Sequence, residues 1–239
     1  MIAEGDRILV AVSGGKDSLC LLHFLEEFRR KAPVRFELLA FHLDQAQPGY
    51  PEWVMPRLFA DWQVAHRIDR VDTYSIVQEK VPVGKTTCAL CSRLRRGILY
   101  RVAREEGCNK LALGHHRDDV LQTFLLNAFF SGKLGSMPPI YRSRDDVIVI
   151  RPLIEVAQSD LAAFAAEEEW PIVPCNLCGS QEGLKRQAME CLLTELEARY
   201  PMVRQSLFRA LSNPHLEELL SQDLWSNPAM ARDVTPGEL

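Results

Sequence analysis

Arg7-Ile8-Leu9-Val10-Ala11-Val12-Ser13-Gly14-Gly15-Lys16-Asp17-Ser18 is the stretch on which the reading of this chain turns. Its first six residues are a short, β-branched apolar run. After the glycine pair, Leu19, Leu21, Leu22, Phe24, Leu25 and Phe28 recur at helical spacing up to Arg30. The pattern predicts a strand, a tight turn and a helix. Small residues let the backbone come close to an anion, and the helix that follows offers free N–H groups and a partial positive charge. Lys16 adds a mobile cation, Ser13 and Ser18 add hydroxyl donors, and Asp17 suits a Mg²⁺ ion bridging it to phosphate. The turn is not a Walker A loop, which needs glycine where Val10 stands and Ser or Thr where Asp17 stands. It also lacks the G-x-G-x-x-G spacing of a dinucleotide site.

Further along, Phe36 to Leu43 is a second apolar run ending in Asp44. Pro51 is suited to the first turn of a helix carrying Trp53, Val54, Leu58 and Phe59, and Val64 to Ile68 reads as a third strand. Arg93 to Glu106 reads as a helix closed by Gly107, and Lys110 to Leu113 as a strand closed by Gly114. Asp118 or Asp119 is expected to cap the next helix, which runs to Phe130, and Val147 to Ile150 is the last clear strand. This alternation predicts an α/β fold, a mainly parallel Rossmann-like sheet with helices on both faces. Ligands in such sheets bind beyond the carboxyl ends of the strands. Ser13, Asp44 and the segment His115–Asp119 all follow strands and are expected to gather at that edge. After Pro152 the pattern changes to a small helical region, with helices over Ser159–Glu169 and Gly183–Arg199. The polar, Pro-containing end reads as a loosely packed tail.

The 239 residues are 47% hydrophobic and 25% charged, an ordinary globular composition that excludes extensive disorder. No apolar run approaches the roughly 18–20 residues needed to span a bilayer. The acidic, Gly-broken start does not read as a signal peptide, so the expected compartment is the cytoplasm. A net charge of −4 argues against indiscriminate coating of nucleic acid. It leaves room for local clusters, and Arg93, Arg95, Arg96, Arg101 and Arg104 form one, with no acid before Glu105.

Seven cysteines without an export signal are expected to be reduced thiols. Cys20, Cys108 and Cys191 stand alone in apolar or helical stretches and read as structural thiols. The other four form two C-x-x-C pairs, Cys88/Cys91 just before the arginine-rich helix and Cys175/Cys178. Such pairs serve a four-thiolate zinc site, an iron–sulfur cluster or a redox couple, and spacing does not separate these.

Ser13-Gly14-Gly15-Lys16-Asp17-Ser18 resembles the S-G-G-x-D-S signature of the PP-loop family, the N-type ATP pyrophosphatases. That likeness implies cleavage of ATP to AMP and pyrophosphate. Five further segments are Leu43–Gly49, Cys91–Tyr100, Gly114–Asp119, Met137-Pro138-Pro139 and Pro174–Ser180. In order and over nearly the whole chain, they resemble the tRNA 2-thiocytidine synthetases. The resemblance implies ATP-dependent replacement of the C2 oxygen of cytidine 32, in the tRNA anticodon loop, by sulfur. It also implies a 4Fe-4S cluster on Cys88, Cys91 and Cys178, with Cys175 as the alternative third ligand.

The roles it implies are ATP and pyrophosphate binding by Ser13, Gly14, Gly15, Lys16, Asp17 and Ser18, with Mg²⁺. Lys16, Asp44, Asp118 and Asp119 are the implied catalytic groups, and Arg93, Arg95 and Arg96 the tRNA contacts. A sulfur donor such as a cysteine desulfurase and a homodimer are the implied partners. The expected division is a PP-loop domain over 1–152, a helical region over 153–212 carrying the second cysteine pair, and a tail over 213–239. Members of the family usually carry helical residues ahead of the first strand, which here starts almost at Met1, so contacts made by such a leader are in question. Two alternatives stay open on the residues alone. One is a related tRNA-modifying ligase with structural zinc, and the other a metal-stabilised RNA-binding module without catalysis.

Overall fold

The computed structural model describes residues 1–82, 87–173, 182–215 and 219–220, without the side chains of residues 88, 89 and 182–184. In chain order the elements begin with β1 (Arg7–Ala11), α1 (Lys16–Lys31), β2 (Glu37–Asp44), α2 (Val54–Trp62) and β3 (His66–Arg70). They continue with α3 (Thr73–Lys80), α4 (Cys88–Glu105), β4 (Lys110–Ala112), α5 (Arg117–Ser131), β5 (Ile140–Arg142) and β6 (Ile148–Ile150). Three helices close the described chain: α6 (Gln158–Glu167), α7 (Glu182–Arg199) and α8 (Val203–Ser212).

The strands form one sheet in the order β3-β2-β1-β4-β6-β5. Every neighbouring pair is parallel except β5 with β6. Ile8 of β1 sits opposite Leu38 of β2 and Lys110 of β4, which places β1 at the centre. Central parallel strands bury both faces, and alternate residues must then be apolar in both directions. Ile8, Val10 and Val12 point into a core shared with Leu19 and Leu22 of α1, Phe59 of α2 and Leu161 of α6. Leu9, Leu39, Phe41 and Leu111 point the other way, against Val102 and Ala103 of α4. The expected mainly parallel sheet with helices on both faces is what forms. β3, His66-Arg67-Ile68-Asp69-Arg70, lies at an edge, and its charged residues suit an exposed border.

Several expected boundaries move. The third strand starts at His66 because Val64 belongs to the end of α2, its N–H bonded to Phe59 O behind a left-handed Gln63. α2 starts at Val54, so Pro51 lies in the preceding turn, where its carbonyl accepts the Val54 N–H. α4 begins five residues before Arg93, so the first cysteine pair is the opening turn of this helix instead of lying just before it. Neither Asp118 nor Asp119 caps α5. The cap is His116, whose Nδ1 accepts the Asp119 N–H while Asp119 accepts the His116 N–H in return. α3, β5 and α8 are additions to the sequence reading.

The helical region divides in two. α6 packs on α1 in the sheet's own layer, whereas α7 and α8 build a separate core with α5 around Leu121, Leu125, Met189 and Leu193. Cys175, Cys178 and most of the tail lie outside the described residues.

Candidate active site

β1, β2, β4 and β6 run in the same direction, so the segments after them meet at one edge of the sheet. The glycine turn after β1 is held from within. Ser13 N–H donates to Ser18 Oγ (3.1 Å), and Ser18 Oγ donates to Gly15 O (2.8 Å). Gly14 has φ +88°, and a Cβ there would stand 3.0 Å from Cβ of Val173, so glycine is required twice over. Val173 N–H donates to Gly14 O (2.9 Å), which ties the chain just ahead of Pro174 to the turn. α1 then starts at Lys16 with no side-chain cap, leaving its first N–H groups for a ligand. Lys16 Nζ lies 2.5 Å from Asp17 Oδ1, and both side chains are partly open to solvent.

The turn after β4 packs directly on this cradle. A Cβ on Gly114 would come within 3.0 Å of the Asp17 carbonyl oxygen and 3.2 Å of Ser18 N, both backbone atoms that have little room to move. Only glycine lets the two turns approach this closely. His116 is buried between them. With Nδ1 accepting from Asp119 N–H, its proton sits on Nε2, 3.4 Å from Asp119 Oδ2 and 3.9 Å from Asp17 Oδ2. Asp119 is further held by Arg186 of α7, 2.8 Å from its Oδ1.

Asp118 points elsewhere. It is buried, with Oδ1 on Arg204 Nη1 and Oδ2 on the first N–H of α6, Gln158 N, each at 2.7 Å. Arg204 also binds Glu190 (2.8 Å) and Glu197 (2.7 Å), so Asp118 is the centre of a clasp joining α5, α6, α7 and α8.

His115 takes a different partner. Arg151, the residue after β6, donates from Nε to His115 Nδ1 (3.3 Å). Burial pushes the His115 pKa down to about 4; Asp119 opposes the shift, and Arg151 and Arg186 add to it.

At the end of β2, Asp44 is buried and accepts the Ala46 N–H at Oδ1 (2.8 Å), with Oδ2 3.7 Å from Arg70. This carboxylate shapes the turn in which Ala46 has φ +56°. The turn presents Gln45, whose Oε1 accepts from Thr73 Oγ1 and from Cys91 Sγ, both at 3.2 Å. The end of β2 thereby touches the opening turn of α4. His42 links β2 back to the glycine turn: Nδ1 donates to Val12 O (2.8 Å) and Nε2 accepts from Tyr50 OH (2.6 Å). Burial lowers the His42 pKa and raises that of Tyr50 to about 12.

Among the described residues no carboxylate lies within 4.0 Å of the Arg93, Arg95 or Arg96 side chains, while Arg101 reaches Asp69 and Glu105. Among the described residues the basic cluster thus divides into four arginines without an acid partner, Arg93, Arg95, Arg96 and Arg104, and one that is paired. Sequence reasoning missed Arg151, Arg186, Gln45 and Val173. Two of these carried a signal: Arg151 as a charged residue directly after the last strand, and Gln45 as part of the Leu43–Gly49 segment.

The fold and the glycine turn define a class. A family model described as a PP-loop domain matches residues 3–177. The tRNA-cytidine(32) 2-sulfurtransferase of Sorangium cellulosum (strain So ce56) is 56% identical over 226 residues, covering 94% of this chain and 80% of that protein. That of Dechloromonas aromatica (strain RCB) is 50% identical over 239 residues, covering 100% of this chain and 83% of the relative. Among solved structures, the U34-tRNA thiolase NcsA from Methanococcus maripaludis with its 4Fe-4S cluster matches with a TM-score of 0.71 at 25% identity. The match covers 91% of this chain and 74% of that one. The chain belongs to the PP-loop family and, within it, to the tRNA-cytidine(32) 2-sulfurtransferases.

Proposed function

We propose that the protein thiolates C2 of cytidine 32 in tRNA at the expense of ATP. AMP is transferred to the C2 oxygen, pyrophosphate leaves, and a sulfur nucleophile then displaces AMP from C2. The observation that carries this reading is the convergence of two kinds of site at one sheet edge. Cys91 meets Gln45 at the end of β2, next to the strand that leads into the glycine turn. Val173, two residues before Cys175, is hydrogen-bonded to Gly14.

Ser13, Gly14, Gly15 and Lys16 bind the departing pyrophosphate through N–H groups, the Ser13 hydroxyl and the ammonium, while Ser18, its hydroxyl and N–H both bonded to Gly15 O, holds the turn in shape. Lys16 offsets charge as it develops on the leaving oxygen. Asp17, partly open and beside the helix N-terminus, has the oxygen chemistry to share a Mg²⁺ ion with that phosphate. Asp119, aligned by Arg186 and His116, is the acid–base group of the pair, and Asp118 is structural. Asp44 acts through the turn it holds.

The donor set suits an iron–sulfur cluster. Cys88 and Cys91 occupy the first turn of α4, which has no acidic residue there and no side-chain cap, so the helix terminus favours thiolates. Cys178 is the third ligand in this reading, with Cys175 as the alternative. When bound, the cluster supplies the sulfur-transfer chemistry that protein side chains lack. Arg93, Arg95 and Arg96 follow directly from these cysteines and contact the anticodon-loop backbone, from which the target base is extruded. A cysteine desulfurase as sulfur donor, a homodimer and a cytoplasmic site of action complete the reading. No described helix is long and apolar enough to cross a membrane.

The test is AMP and pyrophosphate formation by anaerobically prepared protein, with tRNA carrying cytidine or uridine at position 32. Release is expected only with the cytidine-bearing tRNA. Equal release with both, or with none added, would contradict the assignment.

A further inference from the structure

Arg151 is 6% exposed, and its partners among the described residues are neutral. Nη1 donates to Pro138 O (2.5 Å), Nε donates to His115 Nδ1 (3.3 Å), and the guanidinium carbon lies 5.2 Å from the centre of the Tyr141 ring. No described carboxylate lies within 4.0 Å of it, whereas the other deeply buried arginine, Arg204, binds three. Buried charges are normally paired, because an uncompensated one costs several kcal/mol in desolvation.

The surroundings add positive charge. Tyr141 OH is 3.1 Å from Tyr100 OH on α4, and Arg96 lies one helical turn before Tyr100. Arg96 is close enough to Arg151 to oppose its charge, and burial weighs on that charge more heavily still. The acids nearby are committed or offset: Asp119 is bound to Arg186, and Asp145 acts on Tyr100 from the exposed loop after β5. Arg151 follows β6, the strand beside β4, so it opens on the ligand-binding edge of the sheet next to His115.

We propose that Arg151 and Arg96 form a subsite for a phosphate group, walled by Tyr141 and His115. The missing counter-charge is the ligand's, and a planar guanidinium suits two phosphate oxygens at once. Two sources offer that chemistry, the RNA backbone beside the target nucleotide and the phosphates of ATP. The position favours RNA, because Arg96 and Arg93 lie one turn apart on α4, both exposed and, among the described residues, without an acid partner. This inference rests on the tRNA reading given above.

The experiment uses the full chain and its Arg151→Gln, Arg151→Lys and Arg96→Gln variants, each checked by thermal unfolding. Binding of tRNA carrying cytidine 32 is followed by fluorescence anisotropy from 50 to 300 mM salt, and ATP binding is measured separately. Arg151→Gln is expected to weaken tRNA binding about tenfold at 0.1 M salt and to flatten the salt slope by about one, with ATP binding unchanged. Arg151→Lys is expected to lose less than Gln, and Arg96→Gln, on an exposed helix face, reports even if the buried variant fails to fold. Loss confined to the ATP arm keeps the phosphate subsite and assigns it to the nucleotide. Both affinities within twofold of wild type, with an unchanged slope, overturn it. If the wild-type chain itself fails to bind tRNA, the tRNA reading falls, and the ATP arm alone decides the subsite.

Discussion

His115 and His116 are neighbours in sequence, but different elements set the hydrogen bonds of their rings. His116 is locked by the backbone of α5 and turns Nε2–H toward Asp119 and Asp17. His115 receives a hydrogen bond from Arg151 and is partly buried, with mostly positive groups around it. Its folded pKa of about 4 lies below its ordinary 6.5, so between these values the unfolded chain binds more protons than the folded one. Stability therefore falls as pH drops through this window. Denaturant unfolding at pH 7 and pH 5 is expected to show a loss of about 1–2 kcal/mol from this group, absent in His115→Gln. Equal acid sensitivity in the variant would remove the burial argument. The histidines were visible as a pair in the sequence, but their separate roles were not, because Arg151 comes from 36 residues away.

At the scale of elements, the N-terminus of α5 is where catalytic and structural carboxylates part. Asp118 and Asp119 are adjacent acids in sequence with nothing local to rank them. The ranking comes from α7 and α8, which bring Arg204 to one and Arg186 to the other. Removing Arg204 leaves Asp118 charged and buried without its partner. Arg204→Ala is therefore expected to cost about 3–5 kcal/mol in denaturant unfolding. Asp119→Asn is expected to leave stability within about 1 kcal/mol while lowering AMP formation tenfold or more. Similar stability losses in both variants would contradict the division. α8, which carries Arg204, escaped the sequence reading because it is only ten residues long, set between Pro201 and Asn213. α4 was legible from its apolar spacing, but its start was not: it falls at Thr87, a residue of capping type whose side chain makes no cap hydrogen bond.

For the whole molecule, parallel strands around β1 bring turns that are distant in sequence to a common edge. That much was legible, because a β-branched run, a glycine turn and a helical apolar stripe leave few other folds open. The gathering of Ser13, Asp44 and the His115–Asp119 segment follows from strand direction alone. What escaped were the contacts that make the edge one site, Gln45 to Cys91 and Val173 to Gly14, because they join residues 46 and 159 positions apart. The glycines at 14 and 114 looked like turn punctuation. Their close packing on Val173 and on the Asp17–Ser18 backbone emerges only in three dimensions.

The central claim is that the ATP cradle and the cysteines serve one reaction. Its most direct test is 2-thiocytidine at position 32, quantified by mass spectrometry in tRNA incubated with ATP, a sulfide source and anaerobically reconstituted protein, wild type or Cys91→Ala. Thiolation by the wild type that needs ATP, and its disappearance in Cys91→Ala with ATP binding retained, is the predicted result. Thiolation at the wild-type rate in Cys91→Ala, or in the absence of ATP, would contradict it.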